Sequence, residues 1–207
     1  MKAEGEGNRK KMLQLVERES KYSTMLLILV VIPLMFEMPS VLSFWLKEVP
    51  PGADMFCRFI LCSFILDQST DGINTAIQAT GKIKMYTLLM YTPKILILIP
   101  VYYLFQNGFS PISAMWVYIA TEALISLAWL PYIKHICGLS ITHFLTSVIY
   151  PLLPLLFVQC IIGYCLCYSF DIAYRFIVTI PLSIVIGGTT LYYFTLNKSE
   201  RDYAVRL

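Results

Sequence analysis

The groups in this chain able to do chemistry are few, and most are carboxylates and amides set in apolar surroundings. Asp67, Gln68, Asp71, Asn74 and Gln78 lie in a stretch that otherwise reads as a hydrophobic helix. On a continuous helix, Asp67, Asp71, Asn74 and Gln78 share one face, within about 60° of one another. A charge at the centre of hydrocarbon costs several kcal/mol, so this stripe must meet protein or water. Two arrangements satisfy that demand: a wetted lumen, or side chains bonding neighbouring helices. Arg58 lies on roughly the opposite face, in the first turns, where its stem can carry the guanidinium toward the headgroups. Glu37, Lys94 and Glu122 are further ionisable groups inside apolar runs. Lys94 stands at a depth suited to pairing with Asp71 or Glu122. Such a pair is either a static contact or a charged lining that meets an anionic substrate or takes up a proton. Glu37 sits between Pro33 and Pro39, near carbonyls that those prolines leave without a donor. Glu37, Asp71 and Glu122 are the carboxyls placed to take up a proton.

Other reactive residue types do not form sites. The six cysteines are Cys57, Cys62, Cys137, Cys160, Cys165 and Cys167, and they lack metal-ligand spacing. Buried free thiols behave as small hydrophobes. His135, Cys137 and His143 share one connection, but a fourth metal ligand is missing there. The sequence holds no GxSxG, HExxH or P-loop. No catalytic residue, metal or cofactor is expected.

These residues are positioned by apolar helices. Of 207 residues, 57% are hydrophobic and 14% charged, against about a quarter charged in ordinary soluble domains. Mean hydropathy is +0.68. A spanning helix takes about 20 apolar residues, which makes the chain an all-α polytopic membrane protein. A soluble globular enzyme and a disordered chain are excluded. The net charge of +3 is too small, and too concentrated in the tails, for a nucleic-acid surface. Six spans are expected: Ser23–Leu46, Asp54–Ala79, Met85–Gln106, Ile112–Ile133, Val148–Tyr168 and Tyr174–Leu196. Residues 1–22 read as a cytoplasmic basic arm, 23–196 as the transmembrane domain and 197–207 as a cytoplasmic tail. The arm is either amphipathic, with Met12, Leu13, Leu15 and Val16 against lipid, or simply solvated. It does not read as a signal peptide. With both termini in the cytoplasm, 12 of the 16 cations fall on the cytoplasmic side, as the positive-inside rule requires. Pro33, Pro39, Pro93, Pro100, Pro151, Pro154 and Pro181 predict kinked spans, common in transporters that rock and also present in static bundles.

Several segments resemble the bacterial lipid-linked polysaccharide flippases, the O-antigen and capsule exporters of the MOP, or MATE-like, superfamily. They are Gly5-Glu6, Arg18-Glu19-Ser20-Lys21-Tyr22, Phe44-Trp45-Leu46-Lys47-Glu48-Val49-Pro50 and Phe56-Cys57-Arg58. The most specific piece is Gln78-Ala79-Thr80-Gly81-Lys82-Ile83-Lys84-Met85-Tyr86, followed by Pro100-Val101-Tyr102-Tyr103-Leu104-Phe105 and Gly108-Phe109-Ser110-Pro111. Beyond Pro131 the match is diffuse. Members of the family have two six-helix halves, and this chain resembles the C-terminal one. The resemblance implies flipping of an undecaprenyl-diphosphate-linked sugar unit across the bacterial inner membrane, driven by an ion gradient, with a second half or a homodimer completing the lumen. It makes Lys94 and Arg58 candidates for diphosphate or lumen contact. Asp67, Asp71 and Glu122 become candidates for coupling or for hydrogen bonds to sugar. No bond is made or broken, so the chain is not expected to be an enzyme. Rival readings are a small-molecule exporter of the same superfamily, a membrane-bound glycan acyltransferase or ligase, and an inactive fragment. The enzyme reading needs a His paired with a carboxylate near one face, and His135 and His143 lack a carboxylate in their own loop.

Overall fold

The computed structural model of the chain describes residues 8–81, 83–169 and 174–195. The first seven residues, Lys82, residues 170–173 and the tail from 196 lie outside them. Every regular element among the described residues is helical. Five helices are long and apolar enough to cross a membrane: Arg9–Phe36, Tyr86–Gln106, Ile112–Cys137, Ile141–Tyr168 and Phe176–Tyr193.

The first rod is α1 (Arg9–Phe36) followed by the short α2 (Met38–Trp45). Asn8 caps α1 by accepting from the Lys11 backbone N–H at 3.2 Å, which satisfies one of the donors that a helix start leaves open. The stretch Arg9–Tyr22 is therefore continuous with the apolar run that follows. Met12 and Val16 are buried inside the bundle. The rod breaks at Glu37, where Pro39 lacks the N–H that would continue the ladder.

The expected second span is the one that falls short of a membrane-crossing helix. It divides at Thr70 into α3 (Ala53–Ser69) and α4 (Asp71–Ala79). Two features account for this. Asp54, Arg58, Asp67 and Asp71 dilute its apolar character. The break also lets α4 press directly onto α1, where the Gly72 N–H donates to Ser20 Oγ at 3.1 Å. A Cβ at position 72 would collide with the Val16 carbonyl.

The third rod is α5 (Ile83–Leu96) and α6 (Leu98–Gln106), interrupted at Ile97 between Pro93 and Pro100. No part of its apolar stretch is buried within the chain, so it lies at the rim of the bundle. Next comes α7 (Ile112–Cys137), which Gly138 closes in the left-handed conformation at φ 75°. The helix continues one turn beyond its expected end at Ile133. It takes His135 and Cys137 out of the loop where they were read. The fifth rod comprises α8 (Ile141–Phe144), a π-helical turn (Leu145–Ile149) and α9 (Tyr150–Ser169). The widened turn precedes Pro151 and Pro154, whose missing N–H groups disturb regular hydrogen bonding. The last rod is α10 (Phe176–Thr190), ending in a second π-helical turn (Leu191–Thr195).

The rod α1 is the axis of the bundle, packing against α3, α4, α9 and α10. The densest core gathers at one end. It contains Met12, Val16, Ile73, Ile77, Trp129, Ile133, Leu139, Phe144 and Val148, with Tyr86 stacked on Trp129 at 5.3 Å between ring centroids. Large apolar side chains such as Leu96, Ile99, Leu124, Phe157, Ile161 and Val185 face outward. A water-soluble monomer rarely exposes contiguous apolar surface of this kind. The arrangement is that of a helical membrane protein.

Candidate functional site

The structure separates the ionisable groups of the apolar helices into two clusters. The first lies between α3, α5 and α7. Lys94 Nζ is 3.0 Å from Glu122 Oε1. Of the two partners that depth allowed for Lys94, Glu122 is the one it meets. Glu122 is close to the middle of α7, about 15 Å along the axis from Ile112. Its side chain is 3% exposed, whereas that of Lys94 is 34% exposed. Neither carboxylate oxygen of Glu122 has an aligned hydrogen bond, so the approach is an ion contact. Asp67 is half-buried and within Coulombic range of Lys94, Glu122 and Asp71. The Asp71 carboxylate accepts a long 3.5 Å bond from Gln68 Nε2. Glu122 and Asp67 thus share the charge of one ammonium, with Asp71 beside Asp67, on a flank that the rim rod α5–α6 borders.

The break at Thr70 rearranges the expected stripe. Asn74 on α4 is buried, and its Oδ1 has no partner among the described residues. Gln78 is exposed, and Thr75 hydroxyl bonds to Glu19 Oε1 at 3.2 Å. The four residues therefore do not line one continuous surface. Arg58 is brought to neither Lys94 nor Glu122. It faces the other flank of α3, toward Ile32, Met35 and Phe36 of α1 and Cys160 of α9.

The second cluster is built around Glu37, 1% exposed at the break between α1 and α2. Glu37 Oε2 accepts from Arg175 Nε at 3.0 Å, and Oε1 accepts from Thr179 Oγ1 at 3.0 Å and Cys167 Sγ at 3.4 Å. Arg175 also donates to the Cys167 carbonyl at 3.1 Å. Further along α10, Ser183 Oγ donates to Gln159 Oε1 at 2.6 Å, and Gln159 Nε2 donates to the Ser183 carbonyl at 3.2 Å. A cavity of about 10 Å³, lined by Pro33, Glu37, Gly163, Thr179 and Ser183, lies between these bonds. That is close to the minimum volume for a single water. Here the burial of Glu37 is compensated by one cation and by hydrogen bonds to both carboxylate oxygens.

Sequence reasoning singled out Glu37 and missed its partners. The signal was a four-residue period in the last span: Arg175, Thr179, Ser183 and Gly187. That period aligns one helical face. The face carries a cation, two hydroxyls and a glycine, and Gln159 packs so closely on Gly187 that a Cβ would not fit. His143 also gained an unexpected role, because its Nδ1 lies 2.8 Å from Glu17 Oε1 of α1. Among the described residues no group of His, Cys, Asp and Glu could hold a metal ion. No family model, curated protein or solved structure matches this chain.

Proposed function

We propose that the chain is half of a membrane transporter that flips lipid-linked polysaccharide repeat units, as the flippases it resembles do. The observation that carries this reading is the asymmetric Lys94–Glu122 pair: its carboxylate is enclosed and the lysine side chain is one-third exposed. A buried structural ion pair repays its desolvation only where the remaining lone pairs are hydrogen-bonded, and both oxygens of Glu122 lack such bonds among the described residues. A partly exposed lysine held by Glu122, with Asp67 in range, suits exchange of one anion for another. In this scheme the substrate phosphate competes with Glu122 for Lys94. Lysine serves as a compact point charge for phosphate. Asp67 and Asp71 hydrogen-bond sugar hydroxyls, and Glu122 or Asp67 takes up a proton when Lys94 turns to the substrate. The rim rod α5–α6 then borders the passage, which a second half or a second copy of the chain completes.

The reading also proposes six crossings, counting α3 and α4 as one broken span, in the bacterial inner membrane with both termini in the cytoplasm. The test is expression of the full chain in a strain lacking its own polysaccharide flippase. Wild type is expected to restore surface polysaccharide. Lys94→Ala is expected to abolish restoration at unchanged membrane abundance, and Lys94→Arg to retain part of it. Full restoration by Lys94→Ala would overturn the proposed role. No restoration by wild type, with export of small cationic dyes instead, would assign the chain to small-molecule transport.

A further inference from the structure

Arg58 presents a problem that neither cluster solves. It sits in the second turn of α3. Its Nε is buried without a hydrogen-bond partner. The nearest carboxylate in sequence, Asp54, stands one turn earlier on the same helix and makes no ion pair with it among the described residues. Glu37, the buried carboxylate of this region, is taken by Arg175. Among the described residues, this end of the bundle therefore holds two guanidinium groups and one enclosed carboxylate. A guanidinium at the edge of hydrocarbon calls for an anion.

Beside Arg58 lies a cavity of about 250 Å³ bounded by Ile32, Met35, Phe36 and Cys160. An apolar cavity of roughly 150 Å³ already admits a benzene-sized guest, so this one has room for a length of hydrocarbon chain. It opens between α1, α3 and α9, away from Lys94 and Glu122. We infer that Arg58 and this cavity form a binding site for an anionic phospholipid of the bilayer: the acyl chain fills the cavity and the phosphate is bound by Arg58. The pairing follows from charge and shape. The guanidinium fork matches two phosphate oxygens, and a net negative headgroup supplies a charge that no described residue pairs with Arg58. The site is distinct from the proposed transport passage and does not depend on it.

The test uses the full chain, extracted in mild detergent from mixed phosphatidylglycerol and phosphatidylcholine vesicles, with retained lipid read by native mass spectrometry. Wild type is expected to keep phosphatidylglycerol in preference to phosphatidylcholine. Arg58→Gln is expected to lower that preference about tenfold, a difference of roughly 1.4 kcal/mol. Cys160→Phe, which fills the cavity and leaves the charge, is expected to lower retention of both lipids. Equal retention of the two lipids by wild type, or no change in either variant, would overturn the inference. A second measurement covers variants that fail to fold: phosphatidylglycerol is expected to raise the thermal midpoint of the wild-type chain more than phosphatidylcholine does. No difference between the two lipids would also count against the site.

Discussion

Glu37 and Glu122 are both almost fully buried and both face a cation, yet they differ in what surrounds them. Glu37 has Arg175, Thr179 and Cys167 on its two oxygens. Among the described residues Glu122 has Lys94 as its ion partner, in imperfect hydrogen-bond geometry. Removing one partner of a buried pair leaves an uncompensated charge and costs about 3–5 kcal/mol, less where the survivor reaches water. Arg175 is one-quarter exposed. Glu37→Ala and Arg175→Ala are therefore each expected to destabilise the bundle by about 2–4 kcal/mol, with a coupling of about 1–3 kcal/mol in the double variant. Thermal or denaturant unfolding in detergent checks both figures, and additivity would show that the pair does not act as a unit. The position of Glu37 was legible because Pro33 and Pro39 bracket it. Arg175 was not legible as its partner, because the two lie 138 residues apart and nothing local joins them.

At the scale of elements, prolines and glycines decide where rods break and touch. The interruptions at Glu37 and Ile97 were readable from Pro39 and Pro100, since each ring removes one backbone donor. The break at Thr70 was not, because no proline lies near it. Its cause is tertiary: Gly72 brings α4 onto the backbone of α1. The expected single polar face of Asp67, Asp71, Asn74 and Gln78 assumed an unbroken helix, and the break divides that face. Gly72→Ala forces a methyl group against the Val16 carbonyl and Ser20 Oγ. Neither backbone can retreat without loss of the 3.1 Å bond between Gly72 and Ser20. The expected cost is about 1–3 kcal/mol, read as a lower unfolding midpoint in detergent. Gly188→Ala, within α10, touches no neighbour and has no left-handed backbone to strain. Equal effects from the two substitutions would refute the close-packing account of Gly72.

At the scale of the whole molecule, apolar content established helices of membrane-crossing length, while the distribution of packing came only from the structure. The tight core of Ile73, Ile77, Trp129, Ile133 and Phe144 lies at the end that carries the basic arm. Water drives apolar side chains together only where water is present. Within hydrocarbon, Leu packs against lipid as readily as against Leu. A core concentrated at one end thus fits a bundle whose other parts are immersed in lipid. The proposed orientation predicts that Asn107→Cys, at the α6–α7 turn, reacts with an impermeant maleimide on intact cells. Lys84→Cys, near the start of α5, is expected to react only after lysis. Both are placed in a chain whose own cysteines are replaced by serine, and the reverse pattern would invert the topology. The axial position of α1 has a consequence for biogenesis. Glu37 leaves the ribosome with α1, and Arg175 emerges 138 residues later. At roughly 5–20 residues per second, that is an interval of about 7–28 s. For all that time the carboxyl group is without this partner, so α1 must be sheltered at the insertion machinery, or held at the interface, until α10 arrives.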